Sequence, residues 1–301
     1  MERGTKNTMK TIGIIGGGSL GLLFSAYLSD YYDVTLYTKT KAQAKCINEN
    51  GITLHRQGEH HTKKVSAIPL EKNIKEADLI IITVKQYHLK EIIPFIKTLT
   101  IHTPLLFIQN GMSHIEILKN LPQRTLYLGT VEHGAMRTNM DSVHHTGIGT
   151  TRIASYRGEM ESILPIVNFP WVIETDWYAM LVKKLVVNAL INPLTALYRV
   201  KNGQLIHNGY FYKTMRLLFE EIAAVLKLDS AFNYWENALG VCSRTSTNQS
   251  SMLKDIQEGR QTEIDAILGY IQTQAAEKRM STPIVDFLYG SIKGIEEEKG
   301  D

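Results

Sequence analysis

Gly16, Gly18 and Gly21 stand at G-x-G-x-x-G spacing within Gly16, Gly17, Gly18, Ser19, Leu20 and Gly21, and glycines so spaced let a backbone close around a phosphate anion. The first permits a sharp turn, the second lets the main chain approach a pyrophosphate, and the third allows a helix to pack tightly on a strand. A helix starting here would turn its unpaired N–H groups toward the anion. The pattern is weak alone. Its weight comes from its place between Thr11–Ile15, a β-branched run, and Leu20–Leu28, which has the composition of a helix.

Enzymes that take NAD place an acid at the end of the next strand to accept from the ribose 2′-hydroxyl. This chain has Tyr37, Thr38, Lys39, Thr40 and Lys41 there, and lysines attract a 2′-phosphate where a carboxylate would repel it. NADP(H) is therefore the expected cofactor; the alternative is that both lysines are merely solvated. Lys85 and Asn110 follow two further strand-like runs, LIIITV and PLLFIQ, at the carboxyl ends where doubly wound sheets bind ligands.

A second polar group lies far along the chain. In KKLVVNALINPLTAL, Lys184, Asn188 and Asn192 recur every four residues, which sets them in a slowly drifting line on one helix face. Leu185, Val186, Leu190 and Ile191 imply that much of this helix is buried, and buried polar groups are costly unless they meet partners or a ligand. A hydrogen-bonded seam between domains would satisfy the same spacing. Pro193 is expected to bend or loosen the helix. Further on come Asn248, Ser250, Ser251 and Glu263; by spacing alone Ser250 reads as a helix N-cap and Glu263 as a first-turn acid.

Continuous apolar runs at Asp33–Tyr37, Leu79–Val84 and Pro104–Ile108, separated by helical stretches such as Tyr87–Leu99, predict a parallel sheet covered on both faces. Thr125–Val131 extends it, and Val143–His145 with Thr151–Ala154 read as a hairpin across Gly147 and Gly149. From Trp177 the chain reads as helices, over Trp177–Tyr198, Tyr212–Leu228, Phe232–Leu239, Ser250–Gln257 and Thr262–Lys278. A domain boundary is expected near residues 170 to 176, between Pro170 and Asp176. Met1–Lys10 is polar and set apart as a frayed extension, and the tail Glu296–Asp301 is expected to be mobile.

The 301 residues suit two domains, and a 44% hydrophobic, 21% charged composition suits ordinary buried cores. A net charge of +3 is too small and dispersed for a nucleic-acid partner. Cys46 and Cys242 form no C-x-x-C pattern and fit a reducing compartment. The Leu181–Leu197 region is interrupted by Lys183, Lys184, Asn188 and Asn192, so no membrane span is expected, and the N-terminus lacks the apolar run of a signal peptide. His60/His61 and His144/His145 carry no metal-ligand spacing, because neighbours on a strand face opposite ways.

The stretches GGGSLG, TVKQY, IQNGM, KKLVVNALINPLTAL and SSMLKDIQEGRQTEID resemble the ketopantoate reductase (2-dehydropantoate 2-reductase) family, in the expected order and across both halves. The resemblance implies an α/β fold with an N-terminal Rossmann-type doubly wound parallel sheet over residues 11–173 and an all-helical domain over 174–301. It implies a cytoplasmic enzyme, monomer or homodimer, that uses NADPH to reduce 2-dehydropantoate to (R)-pantoate in a cleft between the domains. Lys184 then corresponds to the catalytic lysine that protonates the carbonyl oxygen, and Glu263 to the acid near lysine and ligand. Asn110, Asn188, Asn192, Asn248 and Ser251 fall on substrate or cofactor contacts, and Lys85 on the lysine facing the cofactor. Lys39 stands where the family usually has arginine for the 2′-phosphate. A reductase of another branched 2-oxo acid or an imine, and a non-catalytic NADPH sensor, are the competing readings; a sensor has no need of a proton donor.

Overall fold

The computed structural model describes residues 9–71, 74–160 and 166–298. Two compact units compose the chain: Met1–Gln109 with Ile117–Met180, and Asn110–Glu116 with Leu181–Asp301.

In the first unit, β1 (Thr11–Ile15), α1 (Ser19–Leu28), β2 (Asp33–Thr38), α2 (Lys41–Asn50), β3 (Ile52–Arg56), β4 (Glu59–Lys63), β5 (Ser66–Pro69), β6 (Leu79–Ile82), α3 (Leu89–Ile96) and β7 (Leu105–Phe107) come first. After α4 (Ile115–Lys119) follow β8 (Leu126–Val131), β9 (Gly134–Arg137), β10 (Ser142–Gly147), β11 (Thr151–Arg157) and β12 (Trp171–Glu174). Eight strands form one sheet in the order β12-β11-β8-β7-β6-β1-β2-β5. All neighbours run parallel except β8 with β11. The central strands are apolar on both faces, as strands of a sheet hidden from water on both sides must be: β6 is buried at all four residues. The chain runs outward from β1 in one direction through β2 and in the other through β6, β7 and β8. The end of β1 is thus the point where strand order reverses, which is where such sheets bind ligands.

A second sheet, β4-β3-β10-β9, packs on α1. Sheets on two sides explain why α1 is buried from Gly21 through Leu28 and apolar all round. The expected hairpin between the strands flanking Gly147 and Gly149 is not formed: β10 pairs with β3 and β9, whereas β11 pairs with β8 and β12. β9 is the neighbour of β10 in sequence but β3 is not, and no local pattern announces the pairing of β10 with β3 or of β11 with β8. Met9 is buried in the core and the Lys10 N–H donates to Asp78 Oδ2 at 2.9 Å, so these two residues belong to the fold rather than to a frayed extension. Met1–Thr8 lies outside the described residues.

The second unit is built of α5 (Trp177–Tyr198, its first turn in the first unit), α6 (Gln204–His207), α7 (Gly209–Leu226), α8 (Tyr234–Arg244), α9 (Ser251–Gln257), a π-helical turn at Asp265–Gly269, α10 (Tyr270–Glu277) and α11 (Pro283–Glu297). By length and composition α5 could cross a membrane, but 83% of its most apolar window is buried within the protein, as in a core helix. It runs unbroken through Pro193. The start of the charged tail, Glu296, lies in α11 and its carboxylate accepts from the Thr262 N–H at 2.7 Å; residues 299–301 lie outside the described range.

Candidate active site

In the first unit the glycine turn follows β1 directly. Gly16 has φ +118°, a backbone that side-chain-bearing residues rarely adopt, and its N–H donates to the Tyr37 carbonyl at 2.9 Å. Thr83, just after β6, holds the turn from the other side: its hydroxyl lies 2.9 Å from the Gly16 carbonyl and 3.0 Å from that of Ile15. A Cβ on Gly21 would overlap the Gly16 carbonyl oxygen, so the protein's own packing demands glycine there. Gly18 is different. It is exposed, and a Cβ added to it would meet no protein atom within 4 Å, although it is the N-cap of α1. The turn therefore has the shape a pyrophosphate needs: open at its middle glycine and tight at its third. No acid stands in the first turn of α1 to oppose an anion.

Lys39, at the end of β2, is exposed and pairs with Glu91 at 3.7 Å, and Glu91 also meets His88 Nδ1 at 2.8 Å. The partner His88 and the Lys39 ammonium hold the Glu91 carboxyl below its ordinary range. Lys41 pairs with Glu71 at 3.0 Å. Lys85 caps the short helical turn Gln86–His88, half-buried, with its ammonium 5.8 Å from the Tyr87 ring centre. Two residues that the motifs did not single out touch the glycine turn. Gln43 Nε2 donates to the Gly17 carbonyl at 2.8 Å, and Arg137 NH1 donates to the same oxygen at 3.2 Å.

The paired histidines part company as strand neighbours must. His144 stacks on His55 at 4.3 Å, while His145 turns inward to Tyr27 Oη at 2.7 Å and His133 Nδ1 at 3.1 Å. Burial holds His133 near pKa 4.

In the second unit α5 presents Lys184, half-buried, then Asn188 and Asn192, both buried. Asn188 Nδ2 donates to Asn110 Oδ1 at 3.3 Å, and Asn110 Nδ2 donates to Glu263 Oε2 at 2.8 Å. Residues 75 or more apart in sequence thus form one polar chain, with Lys184 one turn before Asn188 on the same helix face. Asn110 arrives through a segment tied to the helical unit. Gly111 has φ +78° and a Cβ there would overlap the Ala266 carbonyl, while the Met112 N–H donates to that same carbonyl at 3.1 Å. Ser113 Oγ donates to the Asp265 carbonyl at 3.3 Å. Asp265 opens the π-turn, a distortion that recurs at functional sites.

Ser250 is the N-cap that its spacing suggested: its hydroxyl accepts from the Leu253 N–H at 3.1 Å and from Thr195 Oγ1 at 2.8 Å. Ser251 and Asn248 are exposed on either side of it, and the Asn248 carbonyl accepts from the Asn202 N–H at 3.0 Å. The Thr195 bond fixes this loop three residues beyond Asn192 on α5.

Two family models match the chain: ketopantoate reductase PanE/ApbA over residues 12–158, and its C-terminal part over residues 176–296. The chain belongs to the ketopantoate reductase family. The 2-dehydropantoate 2-reductase of Bacillus subtilis (strain 168) is 43% identical over 293 residues, 95% of this chain and 97% of that one. A crystal structure titled as the Probable 2-dehydropantoate 2-reductase panE from Bacillus subtilis superposes with TM-score 0.84 at 41% identity, covering 95% of this chain and 99% of that one. The fold extends to D-mandelate dehydrogenase, solved with NADH and anilino(oxo)acetate, at TM-score 0.85 and 22% identity over 96% of this chain and 99% of that one. As a ketopantoate reductase family member the chain is an oxidoreductase, and its fold is the mixed α/β sheet and helical bundle of that family.

Proposed function

We propose that this enzyme reduces 2-dehydropantoate to (R)-pantoate, the step that serves pantothenate synthesis, with NADPH as the reductant. Bound NADPH supplies the hydride. The curated Bacillus subtilis relative bears the name of this reaction, and NADH accompanies the D-mandelate dehydrogenase fold, which supports a nicotinamide cofactor at the glycine turn. Gly18 offers the open backbone on which the pyrophosphate rests. Lys39 favours the 2′-phosphate over a bare ribose, with Glu91 tempering its charge.

The observation that carries the assignment of roles is the Asn188–Asn110–Glu263 chain beside Lys184. As hydride reaches a ketone carbon, negative charge builds on the oxygen, and an ammonium within hydrogen-bond reach stabilises and then protonates it. Lys184 fills that role. Glu263 favours the charged form of an amine nearby, as any carboxylate does. Asn110 is anchored by Glu263 and offers its remaining amide capacity to ligand, and Asn192, Asn248 and Ser251 complete the recognition of the 2-oxo acid.

The test is NADPH oxidation against a panel of small 2-oxo acids. 2-Dehydropantoate should give the highest kcat/KM by at least tenfold. A higher value for another branched 2-oxo acid would reassign the substrate, and no oxidation with any of them would leave the sensor reading.

A further inference from the structure

Gln43 and Arg137 converge on a single acceptor, the carbonyl of Gly17. Gln43 lies at the third position of α2, and its own N–H is fixed by the Thr40 hydroxyl at 3.2 Å. Thr40 and Gln43 have the T-x-x-Q spacing of a capping box, in which the glutamine side chain would normally turn back to its own helix. Here it leaves the helix. Its amide nitrogen donates to the Gly17 carbonyl and to the Met140 carbonyl, each at 2.8 Å. Because both partners are carbonyls, only the nitrogen can face them, which settles the amide orientation. The side chain is buried, and a Cβ on Gly17 would overlap it, so Gln43 fits flush against the turn. From β9, Arg137 adds a second donor to the Gly17 carbonyl at 3.2 Å, and its main-chain N–H donates to Ser19 Oγ at 3.0 Å.

The consequence follows from peptide planarity. In a trans peptide the carbonyl of one residue and the N–H of the next point in opposite directions. Fixing the Gly17 carbonyl toward α2 and β9 therefore turns the Gly18 N–H the other way, at the exposed glycine where a Cβ meets open space. A flexible Gly17–Gly18 peptide would otherwise sample both orientations, since neither residue carries a side chain to bias it. A carbonyl facing a pyrophosphate would repel it.

We propose that Gln43 and Arg137 are positioning residues for the cofactor. Together they lock the Gly17–Gly18 peptide with its N–H toward the dinucleotide pyrophosphate. Neither touches substrate, and Arg137 acts as a hydrogen-bond donor rather than as a charge. The inference rests on the dinucleotide reading of the glycine turn.

Binding of NADPH and NADH, titrated by fluorescence on the full chain, tests it. Gln43→Met keeps the volume and removes the donor; it should weaken both cofactors by about tenfold. The pyrophosphate is common to both, so the two losses should match, while kcat at saturating NADPH and KM for the 2-oxo acid stay within about twofold of the unaltered enzyme. Arg137→Gln retains an N–H donor and should bind nearly as the parent does, whereas Arg137→Leu should lose affinity. Should Gln43→Met fold poorly, the exposed Arg137 pair carries the same comparison. Equal binding by Gln43→Met and the parent, or equal loss in Arg137→Gln and Arg137→Leu, would overturn the inference. A loss confined to NADPH would also overturn it, by placing these groups at the 2′-phosphate. If the unaltered chain bound neither dinucleotide, the cofactor reading itself would fall first.

Discussion

The two units build their candidate sites from opposite materials. The first offers main chain: a turn where Gly16 bends, Gly21 admits the helix and Gly18 leaves open backbone for an anion. The second offers side chains, Lys184, Asn188 and Asn192 projecting from a buried helix, with Asn110 and Glu263 brought to them by a tight turn and a π-turn. A main-chain site is sensitive to any added Cβ and indifferent to most side-chain chemistry, whereas a side-chain site is the reverse. The division suits the proposed reaction. Holding a dinucleotide requires shape and oriented dipoles, while moving a proton requires a titratable group.

Substitutions can break this contrast, and the largest effect should come from the side-chain site. Lys184→Ala should lower kcat by about a thousandfold, the usual range for a general acid, with NADPH still bound. A kcat within a few fold of the parent would remove Lys184 from the chemistry. In the main-chain site, Gly21→Ala drives a methyl into the Gly16 carbonyl oxygen, and overpacking of backbone on backbone should cost about 3 kcal/mol or more of stability. Denaturant unfolding would show it, and an unchanged midpoint would mean that α1 can move away from β1.

Each unit also buries a histidine in its neutral form, and this gives a comparison in pH. His114, of the second unit, is fully buried, and among the described residues neither ring nitrogen has a hydrogen-bond partner; burial lowers its pKa to about 4. The folded pKa lies below the unfolded value of 6.5, so this stability is complete above pH 6.5 and is lost as pH falls toward 4, because only the unfolded chain takes up the proton. The fall amounts to roughly 3 kcal/mol. His114→Leu should flatten the slope of unfolding free energy over that window; an unaltered slope would point to His133 and His145 of the first unit, where burial acts in the same direction.

The smallest effect sharpens the cofactor choice. Lys39→Ala should weaken NADPH by about tenfold and leave NADH nearly unchanged, because one exposed charge contributes little more than that. Equal loss for both cofactors would contradict a 2′-phosphate role.

What the sequence made legible divides along the same line. The β1–turn–α1 unit could be read because the glycine chemistry is local, and α5 because its polar residues recur within one helix. The second sheet was hidden: β4 is EHHTK, almost wholly exposed, with no apolar run to mark it, and β3 joins β10 across some ninety residues. Asn110 could be placed at a strand end, but not assigned to the helical unit, since its anchors at Glu263 and Ala266 follow from a turn and a π-bulge that no periodicity encodes. Gln43 was veiled by its own capping-box spacing, which explains it adequately as a helix start.

If the glycine turn governs cofactor binding and Lys184 the chemical step, one paired measurement separates the two roles. NADPH affinity and kcat at saturating cofactor would be determined side by side for Gly18→Ala and Lys184→Ala. Crossed losses are expected: Gly18→Ala should weaken NADPH binding at least tenfold and retain kcat, while Lys184→Ala should retain binding and lose kcat. Parallel losses in both quantities for both variants would contradict that separation.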